Sequence, residues 1–122
     1  MRERWSLPGF MLEEQERQYV RRESRNVLAT YVSVRAENPA LTGKVLYEEV
    51  VTTWTGGSTE AARALVRVAE QSFAVWPSER ELTFRDVVHA LCFERLSKMH
   101  DNRKWTYTLL RPVVDSEIPR DL

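Results

Sequence analysis

The chain has 122 residues, enough for one ordinary domain with a hydrophobic core of its own. Its 18 basic and 18 acidic side chains cancel, which excludes a general electrostatic attraction to nucleic acid or to an anionic membrane surface. Hydrophobic residues at 43% and charged residues at 30% exclude a disordered or fibrous chain and indicate a soluble globular protein.

The compartment is indicated by the cysteine content and by the absence of long apolar runs. A single cysteine excludes an intramolecular disulfide framework and is typical of a reducing environment. The first residues lead into no apolar stretch of the kind found in signal peptides. No apolar run approaches the ~20 residues that a membrane span requires. We therefore expect a cytoplasmic protein that does not associate with membranes.

The first predicted helix runs from about Phe10 to Glu37. It must end by Asn38, because Pro39 disfavours helical geometry in the residue before it. Such a helix packs its apolar stripe against a neighbour, in the same chain or in a second subunit. The stripe repeats at alternating spacings of four and three residues: Val20, Ser24, Val27, Tyr31 and Val34.

Two shorter helices are predicted next. The second is capped by Thr42 and stopped by Gly56-Gly57, and the third is capped by Ser58 and runs from Thr59 to Trp76. The apolar side of the second helix is predicted to consist of Leu46, Tyr47, Val50, Val51 and Trp54. That of the third is predicted to consist of Leu65, Val68, Ala69, Ser72, Phe73, Val75 and Trp76.

The fourth predicted helix, from about Phe84 to Met99, opens with a capping box formed by Thr83 and Asp86. Arg95 falls in the middle of its apolar face and therefore requires a carboxylate partner or a position at the edge of the protein. A second apolar stripe lies beside the first, which predicts two neighbours, either both in this chain or one of them in another subunit. This second stripe consists of His89, Phe93, Leu96 and His100.

The C-terminal part is less regular. Residues 105–110 fit either a strand or a short fifth helix, and Pro112 is expected to end whichever forms. Residues 113–122 are predicted to be extended and to pack across the helices or onto a second subunit. The predicted fold is all-α: a compact four-helix bundle, orthogonal or up-down, with five helices as the alternative. We expect one helical domain over residues 1–122, with a core at about 10–100 and a C-terminal extension at 101–122.

Metal and catalytic chemistry would have to involve the fourth helix. His89 and Cys92 are three residues apart, but His100 lies about 16 Å further along the helix axis, too far to bind the same ion. Asp86, His89 and Cys92 also share this helix, yet Cys92 is predicted on the apolar face and the other two turn away from it. Since no catalytic or cofactor-binding motif is present, we predict no catalytic residue, metal site or cofactor. An enzyme is therefore not favoured.

The function favoured by the sequence is a non-enzymatic protein–protein interaction domain, either a homo-oligomer or a small adaptor or regulator. One alternative is a nucleic-acid-binding regulator that uses the arginines of the first helix, although acids are interleaved with them. Another is a small enzyme or metal protein centred on His89, Cys92 and His100. The interaction candidates are Arg17, Arg21, Arg22, Arg25, His89, Phe93, Arg95, His100 and Trp105.

Overall fold

The computed structural model describes residues 14–72, 81–99 and 107–122, which form helices and no strand. The all-α prediction is confirmed, and the described residues contain five helices, the number given by the alternative. The helices are α1 (Glu14–Glu37), α2 (Gly43–Thr55), α3 (Thr59–Ser72), α4 (Phe84–Met99) and α5 (Tyr107–Glu117). None of these helices is both long enough and apolar enough to cross a membrane.

The five helices pack as a closed ring. Each packs against the next in chain order, and α5 returns to pack against α1. α1 and α4 also touch across the middle of the ring. The buried apolar side chains of all five helices consequently form one continuous core.

The stripe predicted on α1 is part of this core. Val20, Ser24, Val27, Tyr31 and Val34 are all buried. The helices that pack against α1 are α2, α4 and α5 of the same chain. The regular spacing is therefore explained within one subunit.

The central helix is α4, which packs against α1, α3 and α5. Every residue from Asp86 to Cys92 is buried, so this stretch has no solvent face. The sequence pattern of two adjacent apolar sides is thus accounted for by neighbours within the chain. The same packing buries His89 and Asp86, so the prediction that they turn away from the apolar core is wrong.

The predicted helix ends are largely confirmed. The backbone N–H of Thr83 donates to Asp86 Oδ2 at 2.9 Å, and the N–H of Asp86 donates to Thr83 Oγ1 at 3.3 Å. Gly56 ends α2 with φ of 66°, a left-handed conformation that glycine adopts without steric cost. Ser58 Oγ accepts from the N–H of Ala61 at 3.1 Å. Thr42 precedes α2 but its side chain makes no capping hydrogen bond.

The buried face of α3 differs in part from the prediction. Val68, predicted to be buried, is 50% exposed, whereas Val66 is buried. The small residues Ala62 and Ala69 are also buried, which allows the neighbouring helices to approach closely. Residues 73–76, predicted to continue this helix, lie outside the described residues.

The prediction of an extended C-terminal tail is wrong. Pro112 lies inside α5 instead of ending an element, and the helix continues to Glu117. Proline removes one backbone hydrogen bond there, but its ring is on the exposed side. Leu110, Val114 and Ile118, at spacings of four residues, are buried on the opposite side. Burial of these three side chains outweighs the loss of one hydrogen bond.

A cleft beside a buried glutamate–arginine pair

A cleft of about 440 Å³ lies where the N-terminal part of α1 meets the C-terminal parts of α2 and α4 and the start of α3. Its floor is apolar and its rim on α4 is charged. The floor consists of Val51, Ala62, Leu65 and Leu91, and the rim of Glu94, Arg95 and Lys98. Tyr19, Thr55, Gly57 and Ala61 complete the wall. An apolar concavity with a few polar groups is the usual form of a binding site.

Arg95 is held in this cleft by a buried carboxylate. Its Nε lies 3.2 Å from Glu23 Oε2 on α1, and the two side chains are 38% and 8% exposed. The sequence required for Arg95 either a carboxylate partner or an edge position, and the structure provides both. Because Glu23 has little access to water, it depends on this cation for charge compensation.

The same carboxylate oxygen binds a second donor. Trp54 Nε1 on α2 donates to Glu23 Oε2 at 3.3 Å, so Glu23 links α1 with both α2 and α4. Tyr19 lies next to this group. Burial, and secondarily the negative charge of Glu23, raise the pKa of the Tyr19 hydroxyl, while a hydrogen bond from Arg95 acts in the opposite direction. Tyr19 is therefore a neutral phenol at physiological pH.

Cys92 lies beneath this group and is chemically inert. Burial, and secondarily the charge of Glu23, raise the pKa of its thiol to about 12, although the nearby Ser24 hydroxyl and the charge of Arg95 act in the opposite direction. The reactive form of cysteine is the thiolate, which this environment suppresses. Cys92 thus acts as a small core residue and not as a nucleophile.

The buried thiol predicts a pH dependence of stability. In the unfolded chain the thiol ionises near its ordinary pKa of 9.0, whereas in the native state it stays neutral to about pH 12. Above pH 9 the unfolded state therefore binds fewer protons, and stability falls as pH rises. The difference in unfolding free energy between wild type and Cys92→Ala should fall by about 1.4 kcal/mol between about pH 8 and pH 10. Urea unfolding of both proteins across this range measures it, and a constant difference would contradict the assignment.

The other candidate residues for catalysis and metal binding lie in surroundings that indicate a structural role. Asp86 is occupied by its capping contacts and by Arg111 Nη1 at 2.9 Å. His89 is fully buried within α4. Within the described part of the chain, no three His, Cys, Asp or Glu side chains are grouped so as to hold a metal ion. His100 lies outside that part.

Three of the four candidate arginines of α1 have contacts within the domain. Arg25 forms an ion pair with Glu117 of α5, with Nε 2.8 Å from Oε1. Arg17 lies 3.9 Å from Glu14, and the guanidinium of Arg22 lies 5.7 Å from the centre of the Tyr19 ring. Arg21 is half-buried. These contacts are those of a solvated helix face with ion pairs to its neighbours.

Of the remaining interaction candidates, only Arg95 lines the cleft. Phe93 is half-buried, packs against the core and lines a shallower groove between α3 and α4. Trp105, like His100, is outside the described residues. Glu23, Tyr19 and Trp54 were not among the predicted interaction residues. One signal could have found Glu23: it lies three residues after Val20 and four before Val27, next to the buried stripe.

Comparison of the chain with protein-family models, with curated proteins and with solved structures gave no match.

Proposed function

We propose that this chain is a non-enzymatic helical protein-interaction domain, a small adaptor whose cleft receives an apolar side chain of a partner protein. The observation that supports this most directly is the cleft itself. Its floor is apolar, and Tyr19 and Arg95 stand at its wall and rim. Tyrosine and arginine are residue types that contribute much of the binding energy at protein interfaces.

The arrangement of the cleft is better suited to binding a partner protein than to catalysing a reaction. Arg95 and Tyr19 are held in place before any partner arrives, which lowers the entropic cost of ordering them on binding. The nearest nucleophile, Cys92, is buried and protonated. A single reduced thiol is compatible with the cytoplasm, where we place the protein.

The adaptor form is preferred to the homo-oligomer. In the sequence, self-association rests on the stripe on α1 and on the two apolar sides of α4. The α1 stripe is buried within the chain, as are His89 and Leu96 of the second α4 stripe. Among the described features, the cleft is therefore the one best suited to binding a different protein.

Filling the cleft should weaken partner binding. Ala61 is exposed and lines the cleft, so Ala61→Trp would occupy the space without altering the core. A phage-displayed library of random peptides, selected on the immobilised full chain, supplies the ligands. We expect Ala61→Trp to weaken binding of the selected peptides at least about ten-fold, a change of about 1.4 kcal/mol.

The matched control is Ala64→Trp, which introduces the same side chain at an exposed position of α3 that does not line the cleft. It should bind the peptides as the wild type does, and both variants should keep the wild-type circular dichroism and melting temperature. If no peptide is selected, or if selected peptides bind Ala61→Trp as tightly as wild type, the proposed function is wrong.

A further inference from the structure

We infer that the cleft selects partner segments in which an acidic residue lies next to an apolar one. The apolar side chain occupies the floor, and the carboxylate binds Arg95 and Lys98. This inference rests on the proposed function and specifies the chemistry of the partner.

Arg95 is held by contacts that leave part of its guanidinium accessible. Its Nε lies 3.2 Å from Glu23 Oε2, and its guanidinium also donates to the Tyr19 hydroxyl, so these two contacts leave further N–H donors on the terminal nitrogens. The side chain is 38% exposed and lines the cleft, so an incoming group can reach these nitrogens. A planar fork with its orientation already set matches the two oxygens of a carboxylate.

Lys98 adds a second cation to the rim of the cleft. It lies one turn after Arg95 on α4, lines the same cleft and is exposed. Among the described side chains it takes part in no ion pair, so its charge is available to a partner. Arg95 and Lys98 together place two cations beside the apolar floor.

Glu94 is the opposing charge. It lies four residues before Lys98, and both residues also line the shallower groove between α3 and α4. Glu94 and Lys98 therefore lie on the ridge that separates the two concavities, whereas Arg95 lines the cleft and not the shallower groove. Donors on the rim outnumber acceptors, so a partner that offers oxygen acceptors fits better than one that offers ammonium groups.

The floor determines the other half of the motif. Leu65 and Leu91 are buried beneath the opening, with Ala62 and Val51 between α3 and α2. The opposite wall contains the small residues Ala61 and Gly57, which take up little of the cleft. An apolar side chain entering here removes further apolar surface from water, which favours binding by roughly 25 cal/mol per Å².

The test uses peptides that are selected on wild type and depleted on Ala61→Trp, each made synthetically with a fluorescein label. Their anisotropy is measured with wild type, Glu94→Gln, Lys98→Gln and Glu37→Gln. Glu37 is exposed at the far end of α1, so its substitution controls for net charge alone. We expect Lys98→Gln to weaken binding, and Glu94→Gln to strengthen it, each about two- to five-fold, with Glu37→Gln close to wild type.

The outcomes separate the two proposals. Selected peptides that carry Asp or Glu beside an apolar residue, and that respond with these opposite signs, support the acidic motif. Peptides that discriminate against Ala61→Trp but are neutral or basic, or that do not respond to Lys98→Gln and Glu94→Gln, overturn the motif and leave the cleft as a protein-binding site. Failure of Ala61→Trp to affect any peptide overturns both.

Discussion

Removal of residues 103–122 is expected to unfold the domain. Leu110 and Val114 of α5 and Ile118, the residue directly after it, are buried, and α5 packs against α1 and α4. Exposing three such side chains costs about 5–9 kcal/mol, and a domain of this size has only about 5–15 kcal/mol of stability. The truncated chain should therefore show no cooperative thermal transition by circular dichroism and should bind a hydrophobic dye.

A shorter deletion serves as the control. Residues 119–121 are exposed and Leu122 is half-buried, so removing residues 119–122 should cost about 1 kcal/mol. If the protein ending at Asn102 melted cooperatively at the wild-type temperature, α5 would be dispensable and the role assigned to it would be wrong.

Asp86→Ala is expected to destabilise the domain by about 3 kcal/mol, the scale of breaking a buried ion pair. Asp86 is 1% exposed and lies 2.9 Å from Arg111 of α5, which is 24% exposed. Removing Asp86 takes away the buried partner of Arg111 and leaves this arginine with the partly exposed Asp115. The substitution also removes the cap at the start of α4, worth about 1 kcal/mol by itself. Urea unfolding measures the loss.

Asp115 provides a matched comparison, because its carboxylate lies 3.0 Å from the same arginine but is 36% exposed. It also lies 3.3 Å from Arg85. Asp115→Ala should cost about 1 kcal/mol or less, the range of partly exposed ion pairs. If Asp115→Ala proved as costly as Asp86→Ala, burial would not be what makes the Asp86–Arg111 pair important.

Local patterns in the sequence were sufficient to predict the buried side of α1, the end of α2 and the start of α4. The spacing of Val20, Val27 and Val34 identified the buried side of α1 because helical periodicity places such residues on one face. The Thr83–Asp86 capping box and the glycine at the end of α2 marked helix ends because both act through backbone groups a few residues away. Interactions within one turn can be deduced from order along the chain alone.

The C-terminal helix shows how a local rule can fail. Pro112 argues against a helix, and its cost is local and visible in the sequence. The compensating gain comes from Leu110, Val114 and Ile118 packing on α1 and α4, and depends on where those helices lie. Tertiary burial decided the outcome, although the four-residue spacing of these side chains was already present in the sequence.

The sequence by itself determined that the protein is helical, where most helices begin or end, and that Arg95 requires compensation for its charge. Only the tertiary structure decided that Glu23 provides it, because α1 and α4 meet across the middle of the ring although these two residues are 72 positions apart. The tertiary structure also decided that His89 is buried. α4 packs against three other helices, so the side that would face solvent with only two neighbours is covered as well. The cleft belongs to the same class of feature. Its walls come from four helices, and the sequence of any single helix contains no pattern that indicates a space between helices.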